Sequence, residues 1–158
     1  EAIHFGHTFS QHRKKHFPSY ECTNNEKIRI GFVSGDLRAH PVGYFLESVL
    51  SSIDQSQFDL FAYTTDASYE DELSVRIKPL FREWRPIFWQ EDEAVAELIH
   101  ADGINILVDL SGHTAGNRLP VFVYKPAPVQ VTWLGYFCTT GLSEMDYLIG
   151  DPYVTPPE

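Results

Sequence analysis

The chain has 158 residues with a hydrophobic fraction of 43% and an aromatic fraction of 14%, enough to bury the core of one domain and too apolar for wholesale disorder. A net charge of -10 disfavours a phosphate-backbone surface for nucleic acid, and no apolar run is long enough to span a bilayer. Cys22 and Cys138 lie far apart and offer neither a zinc spacing nor a disulfide framework, and the chain opens without a signal peptide, so a soluble protein of a reducing, cytoplasmic compartment is expected.

In chain order, residues 1–27 are polar, histidine-rich and broken by Pro18 and Asn24-Asn25. They read as an arm followed by a linker, with Arg13, Lys14 and Lys15 as a solvated basic flank. A strand is predicted over 27–34. A helix over 42–53 follows, with Val42, Phe45, Leu46, Val49, Leu50 and Ile53 on one face at the 3.6-residue period and Pro41 in its first turn. A second strand over 58–63 leads through a polar loop into a helix near 71–80, then a short third strand over 81–84. The next helix, 91–101, turns Ala94, Val95, Leu98 and Ile99 inward and stops at Asp102-Gly103. Residues 104–110 form the clearest strand, nearly all apolar, as a parallel strand covered on both faces should be. A glycine-flanked loop, a short helix over 119–124, a strand over 129–134, a second glycine-bearing loop and a last strand over 147–149 complete the chain.

This alternation argues for an α/β fold, a doubly wound and mostly parallel sheet. In such a sheet the loops after the strands gather at one edge and build the cleft. Three loops, over 34–41, 111–118 and 136–141, each carry Gly with Ser, Thr or His. Small residues let backbone approach a ligand and expose N–H donors; the same residues also make ordinary turns.

His40 stands at the mouth of the first helix. It can move a proton near neutral pH, hydrogen-bond a sugar or cap the helix. Asp36 orders the turn, orients a neighbour or caps. Asp109 ends the best strand with His113 just beyond it, and a carboxylate there either holds a histidine tautomer or shapes the turn. Arg118 is a candidate clamp for an anion or a member of an ion pair. His100 closes a helix, where a cation is favourable. His4, His7, His12 and His16 have no carboxylate or cysteine partners at zinc-like spacing, so no metal site is expected. The chain also lacks a phosphate-gripping loop ending in Lys-Ser or Lys-Thr, the dinucleotide fingerprint, an Asp-X-Asp pair and a Gly-X-Ser-X-Gly elbow.

Residues 28–158 resemble the amino-terminal half of the catalytic region of O-linked N-acetylglucosamine transferases. The resemblance rests on an ordered set: Arg29-Ile30-Gly31-Phe32-Val33-Ser34-Gly35-Asp36, His40-Pro41, Ile99-His100-Ala101-Asp102-Gly103-Ile104, and Leu107-Val108-Asp109-Leu110-Ser111-Gly112-His113-Thr114. It continues through Lys125-Pro126-Ala127-Pro128-Val129-Gln130-Val131-Thr132-Trp133-Leu134-Gly135-Tyr136 to Met145-Asp146-Tyr147.

The resemblance implies one Rossmann-like half of a two-domain GT-B glycosyltransferase, with residues 1–27 as the tail of a linking segment and the carboxyl-terminal half absent. It implies transfer of N-acetylglucosamine from UDP-N-acetylglucosamine to serine or threonine hydroxyls of protein acceptors, with inversion and without a required metal or other cofactor. Tetratricopeptide repeats are implied upstream. The family's His-Pro histidine maps onto His40 and the histidine of its Ile-His-x-Asp-Gly run onto His100, which makes both the expected catalytic residues. Asp36, Asp109, His113, Arg118, Thr139, Thr140 and Gly141 are the expected substrate-binding residues. One departure stands out. The family has Pro-Gly-Thr-Ser-Gly after the tyrosine, whereas this chain has Phe137-Cys138-Thr139-Thr140-Gly141. That change motivates the alternative of a catalytically silent or redirected binding module of the same fold. A different cleft enzyme of the doubly wound class is the third reading.

Overall fold

A computed structural model describes residues 17, 19, 20, 27–66 and 70–153. Most of the expected arm over 1–27, with its four histidines, its basic flank and Cys22, lies outside the described residues. The elements run β1 (Ile28–Ser34), α1 (Pro41–Ser52), β2 (Phe58–Thr64), α2 (Glu72–Ile77), a 3-10 turn (Lys78–Leu80), β3 (Glu83–Pro86), α3 (Asp92–Ala101), β4 (Ile106–Asp109), α4 (Leu119–Val123), β5 (Val129–Trp133) and β6 (Tyr147–Ile149). The third strand starts two residues later than expected, because Phe81 closes the 3-10 turn onto the Lys78 carbonyl before Arg82 reaches the Leu60 carbonyl of β2.

The six strands lie in the order β3-β2-β1-β4-β5-β6. Every neighbouring pair is parallel, from Ile28 beside Phe58 at one end of the β1–β2 register to Trp133 beside Ile149 at the end of β5–β6. Helices cover both faces. Phe32, Leu60, Ala62 and Val108 meet Val42, Leu46 and Leu50 of α1 and Leu73 and Ile77 of α2. On the other face Val33, Phe61, Tyr63 and Leu107 meet Val95, Ala96 and Ile99 of α3 and Leu119 and Phe122 of α4. Successive residues of β1 thus serve opposite cores, as the two-residue period of a strand requires.

The inward face of α1 is narrower than the periodicity predicts. Val42, Leu46 and Leu50 are buried, but Phe45 is 66% exposed and Val49 38%. Gly43 explains the difference: a Cβ there would overlap the Arg38 carbonyl and the Leu73 side chain. The helix is rolled toward Gly43, which turns Phe45 outward. Likewise Ala96, rather than the exposed Ala94, completes the inward row of α3.

A buried polar network ties the amino side of the fold together. The Tyr63 hydroxyl donates to Asp102 at 2.7 Å, Arg85 donates to the same carboxylate at 2.8 Å, and Arg29 donates to the Asp102 carbonyl at 2.8 Å. Burial and the neighbouring Asp102 push the Tyr63 phenol well above its ordinary value. The residue therefore stays a neutral donor inside the core. No helix among the described residues is long and apolar enough to cross a membrane.

Candidate functional site

The strand order reverses between β1 and β4: one half of the chain winds outward from β1 through β2, the other from β4 through β5. Loops that leave two adjacent parallel strands in opposite directions open a crevice at their carboxyl ends, where open α/β sheets bind ligands. The loops after β1, β4 and β5 all lie at this edge.

Local chemistry shapes the β1 loop. The Ser34 hydroxyl accepts the Asp36 amide at 2.9 Å, and the Asp71 carboxylate accepts the Ala39 amide at 2.6 Å. Asp71 also caps α2 through Ser74, so one carboxylate fixes both the loop and the helix beside it. These donors hold its carboxyl below the ordinary value. Arg38 lies 3.6 Å from Asp36 and 3.5 Å from Asp66. His40 is the N-cap of α1; its Nδ1 accepts the Val42 amide at 3.3 Å and stands 3.7 Å from an Asp36 oxygen. Asp36 thus sits between a guanidinium and an imidazole, which orders the turn and orients both.

Asp109 is buried. It accepts hydrogen bonds from the Ser111 amide at 3.0 Å, the Gly112 amide at 2.9 Å and the Thr132 hydroxyl at 2.9 Å. Burial pushes its carboxyl above the ordinary range, against the pull of those three donors. It shapes the loop from beneath. The loop crosses the sheet edge and is pinned by the Thr65 hydroxyl, which donates to the Gly116 carbonyl at 2.7 Å.

The β4 and β5 loops pack together. His113 Nε2 donates to the Thr140 carbonyl at 2.9 Å, and its ring meets Tyr136 edge-on at 5.4 Å between centroids. Tyr136 in turn stacks on Phe137, which is 75% exposed. Thr140 is buried, while the Gly141 amide donates to the hydroxyl of the exposed Thr139 at 3.1 Å. The turn out of β5 is strained. Leu134 has φ 69°, rare for a residue with a Cβ, and a Cβ on Gly135 would overlap the Leu110 carbonyl. Strain held by tight packing is a mark of functional edges.

The structure therefore brings His40, Asp36, Asp109, His113, Thr139, Thr140 and Gly141 to one edge. It does not bring His100 there. His100 ends α3 at the amino edge, stacked on Phe17 at 4.1 Å, beside a cavity of about 340 Å³ lined by Arg29, Gly103, Asn105 and Pro128. Arg118 donates to the carbonyls of Ile87 and Gln90 and lies 2.8 Å from an Asp92 oxygen. Those bonds fasten the β3–α3 loop and engage the guanidinium inside the protein. Thr65 and Arg38 were not singled out in the sequence, and Tyr136 entered only as the end of the Trp133-Leu134-Gly135-Tyr136 run. The signal for Thr65 and Arg38 was position alone, just past the carboxyl end of a strand or within its loop.

A cavity at the β1–β2 end, lined by Ser34, Gly35, Arg38, Asp66 and Trp84, holds only about 50 Å³, room for water but not for a nucleotide sugar. A second cavity at this edge, of about 140 Å³, is lined by Thr132, Thr139, Thr140 and Tyr147. Among the described residues no group of three or more His, Cys, Asp or Glu side chains could hold a metal ion.

The chain is 38% identical over 153 residues to the probable UDP-N-acetylglucosamine–peptide N-acetylglucosaminyltransferase SPINDLY of Oryza sativa, covering 91% of this chain and 16% of that protein. It is 34% identical over 144 residues to the UDP-N-acetylglucosamine–peptide N-acetylglucosaminyltransferase of Caenorhabditis elegans, covering 89% of this chain and 12% of the relative. A solved structure of a mutant Thermobaculum terrenum O-GlcNAc transferase superposes with a TM-score of 0.89 at 40% identity, over 99% of this chain and 30% of that one. The sheet is accordingly a Rossmann-like half of a GT-B glycosyltransferase fold. A model of glycosyl transferase family 41 matches residues 7–158, and the chain belongs to that family.

Proposed function

We propose that the chain is the amino-terminal wall of the active site of a protein O-glycosyltransferase, one that moves N-acetylglucosamine from UDP-N-acetylglucosamine to serine or threonine hydroxyls. The observation that carries this reading is the placement of His40 beside the strand-order reversal, in a chain whose relatives are named for that transfer. A hydroxyl is a poor nucleophile near neutral pH. Alignment with the anomeric carbon and electrostatic support for the departing phosphate are the main tasks. In this half, His40 and Asp36 face the reacting groups, and the paired loops bearing His113, Tyr136, Thr139 and Gly141 form the sugar-facing wall. Asp109 and Thr140 hold those loops from beneath.

A second Rossmann-like half supplies most of the UDP pocket, and tetratricopeptide repeats upstream deliver protein acceptors. The setting is cytoplasmic, and the residues carry the reaction without a bound metal. Mass spectrometry of the complete protein incubated with UDP-sugars and candidate acceptors should find one added hexosamine. The 158-residue chain alone should show no transfer above a His40→Ala control. Absence of transfer by the complete protein, with UDP still bound, would favour the silent module that the Phe137-Cys138 change suggests. Absence of UDP binding would refute a UDP-sugar enzyme.

A further inference from the structure

We infer that His40 works as a hydrogen-bond donor through Nε2 and not as the base that takes the acceptor's proton, an inference that rests on the site proposed above. Pro41 has no N–H, so the Val42 amide is the first in α1 that needs a partner, and the Nδ1 lone pair of His40 supplies it at 3.3 Å. A ring nitrogen that accepts carries no proton. A neutral imidazole has only one N–H, which therefore resides on Nε2.

The charged groups facing the ring do not reverse this. The Asp36 oxygen is 3.7 Å from Nδ1, beyond hydrogen-bond reach, and Asp36 is shared with Arg38 at 3.6 Å. Nε2 has no hydrogen-bond partner among the described residues, and the side chain is 40% exposed. A base acting through Nε2 needs a lone pair there. His40 would have to move its proton to Nδ1, against the Val42 N–H. As a donor it needs no such exchange, because Nε2 bears a proton in both the neutral and the charged ring. The ligand group it fits is an oxygen with a free lone pair, a carbonyl or phosphate oxygen of the bound substrates.

Long-range proton–nitrogen spectra of the chain labelled at histidine nitrogen test the tautomer directly. The His40 Nδ1 should resonate as a wholly unprotonated nitrogen and Nε2 as a protonated one; a protonated Nδ1 in the neutral ring overturns the inference. His40→Asn keeps a capping oxygen but not the reach of Nε2, and His40→Ala keeps neither. Exchange of the Val42 amide should speed up about fivefold in His40→Ala and stay slow in His40→Asn; equal rates in all three chains count against the cap. In the complete protein, His40→Asn should lower kcat/KM although the helix cap is retained; an undiminished kcat/KM counts against a donor at this position. Loss of the nitrogen signature refutes the inference alone, whereas loss of all transfer with the signature intact refutes the proposed function. Separate additions of UDP and of acceptor peptide distinguish a phosphate from a carbonyl oxygen by which one shifts Nε2.

Discussion

Asp109 accepts two amides and a hydroxyl while almost wholly enclosed, so its loss leaves three donors without a partner. Asp109→Ala should destabilise the chain by about 2–4 kcal/mol, read by urea unfolding. The pH dependence follows from the direction of its shift. Burial raises the folded carboxyl above its ordinary value of 3.8, so the folded state holds the proton more tightly than the unfolded one. Stability from this group is fully present below that ordinary value and is lost as pH rises through the folded one. The advantage of the native chain over Asp109→Asn should therefore be largest in acid and shrink as pH rises; an advantage that grows with pH would contradict the assignment. From sequence, Asp109 was seen at the end of a strand with His113 in the loop after it. What could not be seen is that Asp109 bonds backbone and Thr132, while His113 reaches across to the Thr140 carbonyl. Those partners are distant along the chain and meet only once the sheet has formed.

At the level of the element, α1 shows how far periodicity carries and where it stops. The apolar repeat placed a helix after β1 correctly, but a stripe of six residues is wider than the face that packs. The roll of the helix was decided by Gly43, whose missing side chain lets Arg38 and Leu73 approach. Leu46→Ala should cost about 2–5 kcal/mol, whereas Phe45→Ser should stay within about 0.5 kcal/mol. Denaturant midpoints of the two variants check this, and a large loss at Phe45 would show that the helix is rolled the other way. The exit of β5 is a second case. Gly135→Ala would drive a methyl group into the Leu110 carbonyl beside the already strained Leu134. A loss of about 3 kcal/mol or more is expected, together with loosening of the Tyr136–His113 contact visible in proton spectra. In sequence Gly135 was only part of a family motif; the close approach that requires it comes from a strand neighbour some 25 positions away on β4's exit.

For the whole molecule, the doubly wound class was legible because the central strands are covered on both faces and the crossovers from β1 through β5 each carry a helix, while the last, into the exposed β6, carries none. The reversal between β1 and β4 follows from that class, and with it the edge where His40, Asp36 and the β4 and β5 loops assemble. His100 was harder to place. A histidine at the end of a helix that precedes a strand belongs to the amino edge by topology, yet the motif around it suggested a shared catalytic site. In the structure it contacts Phe17 and Tyr20, across the sheet from His40. The chain spans 30% of the solved relative, so the activity of the whole protein is a proposal that this edge supports through the residues it gathers.

The most direct measurement is sugar transfer by the complete protein, followed by the mass of an acceptor peptide, with the native His40 and with His40→Asn. The native protein should add one hexosamine, and the variant should do so about 100-fold more slowly while its unfolding midpoint is little changed. Undiminished transfer by a well-folded His40→Asn protein would contradict the placement of the site at this edge.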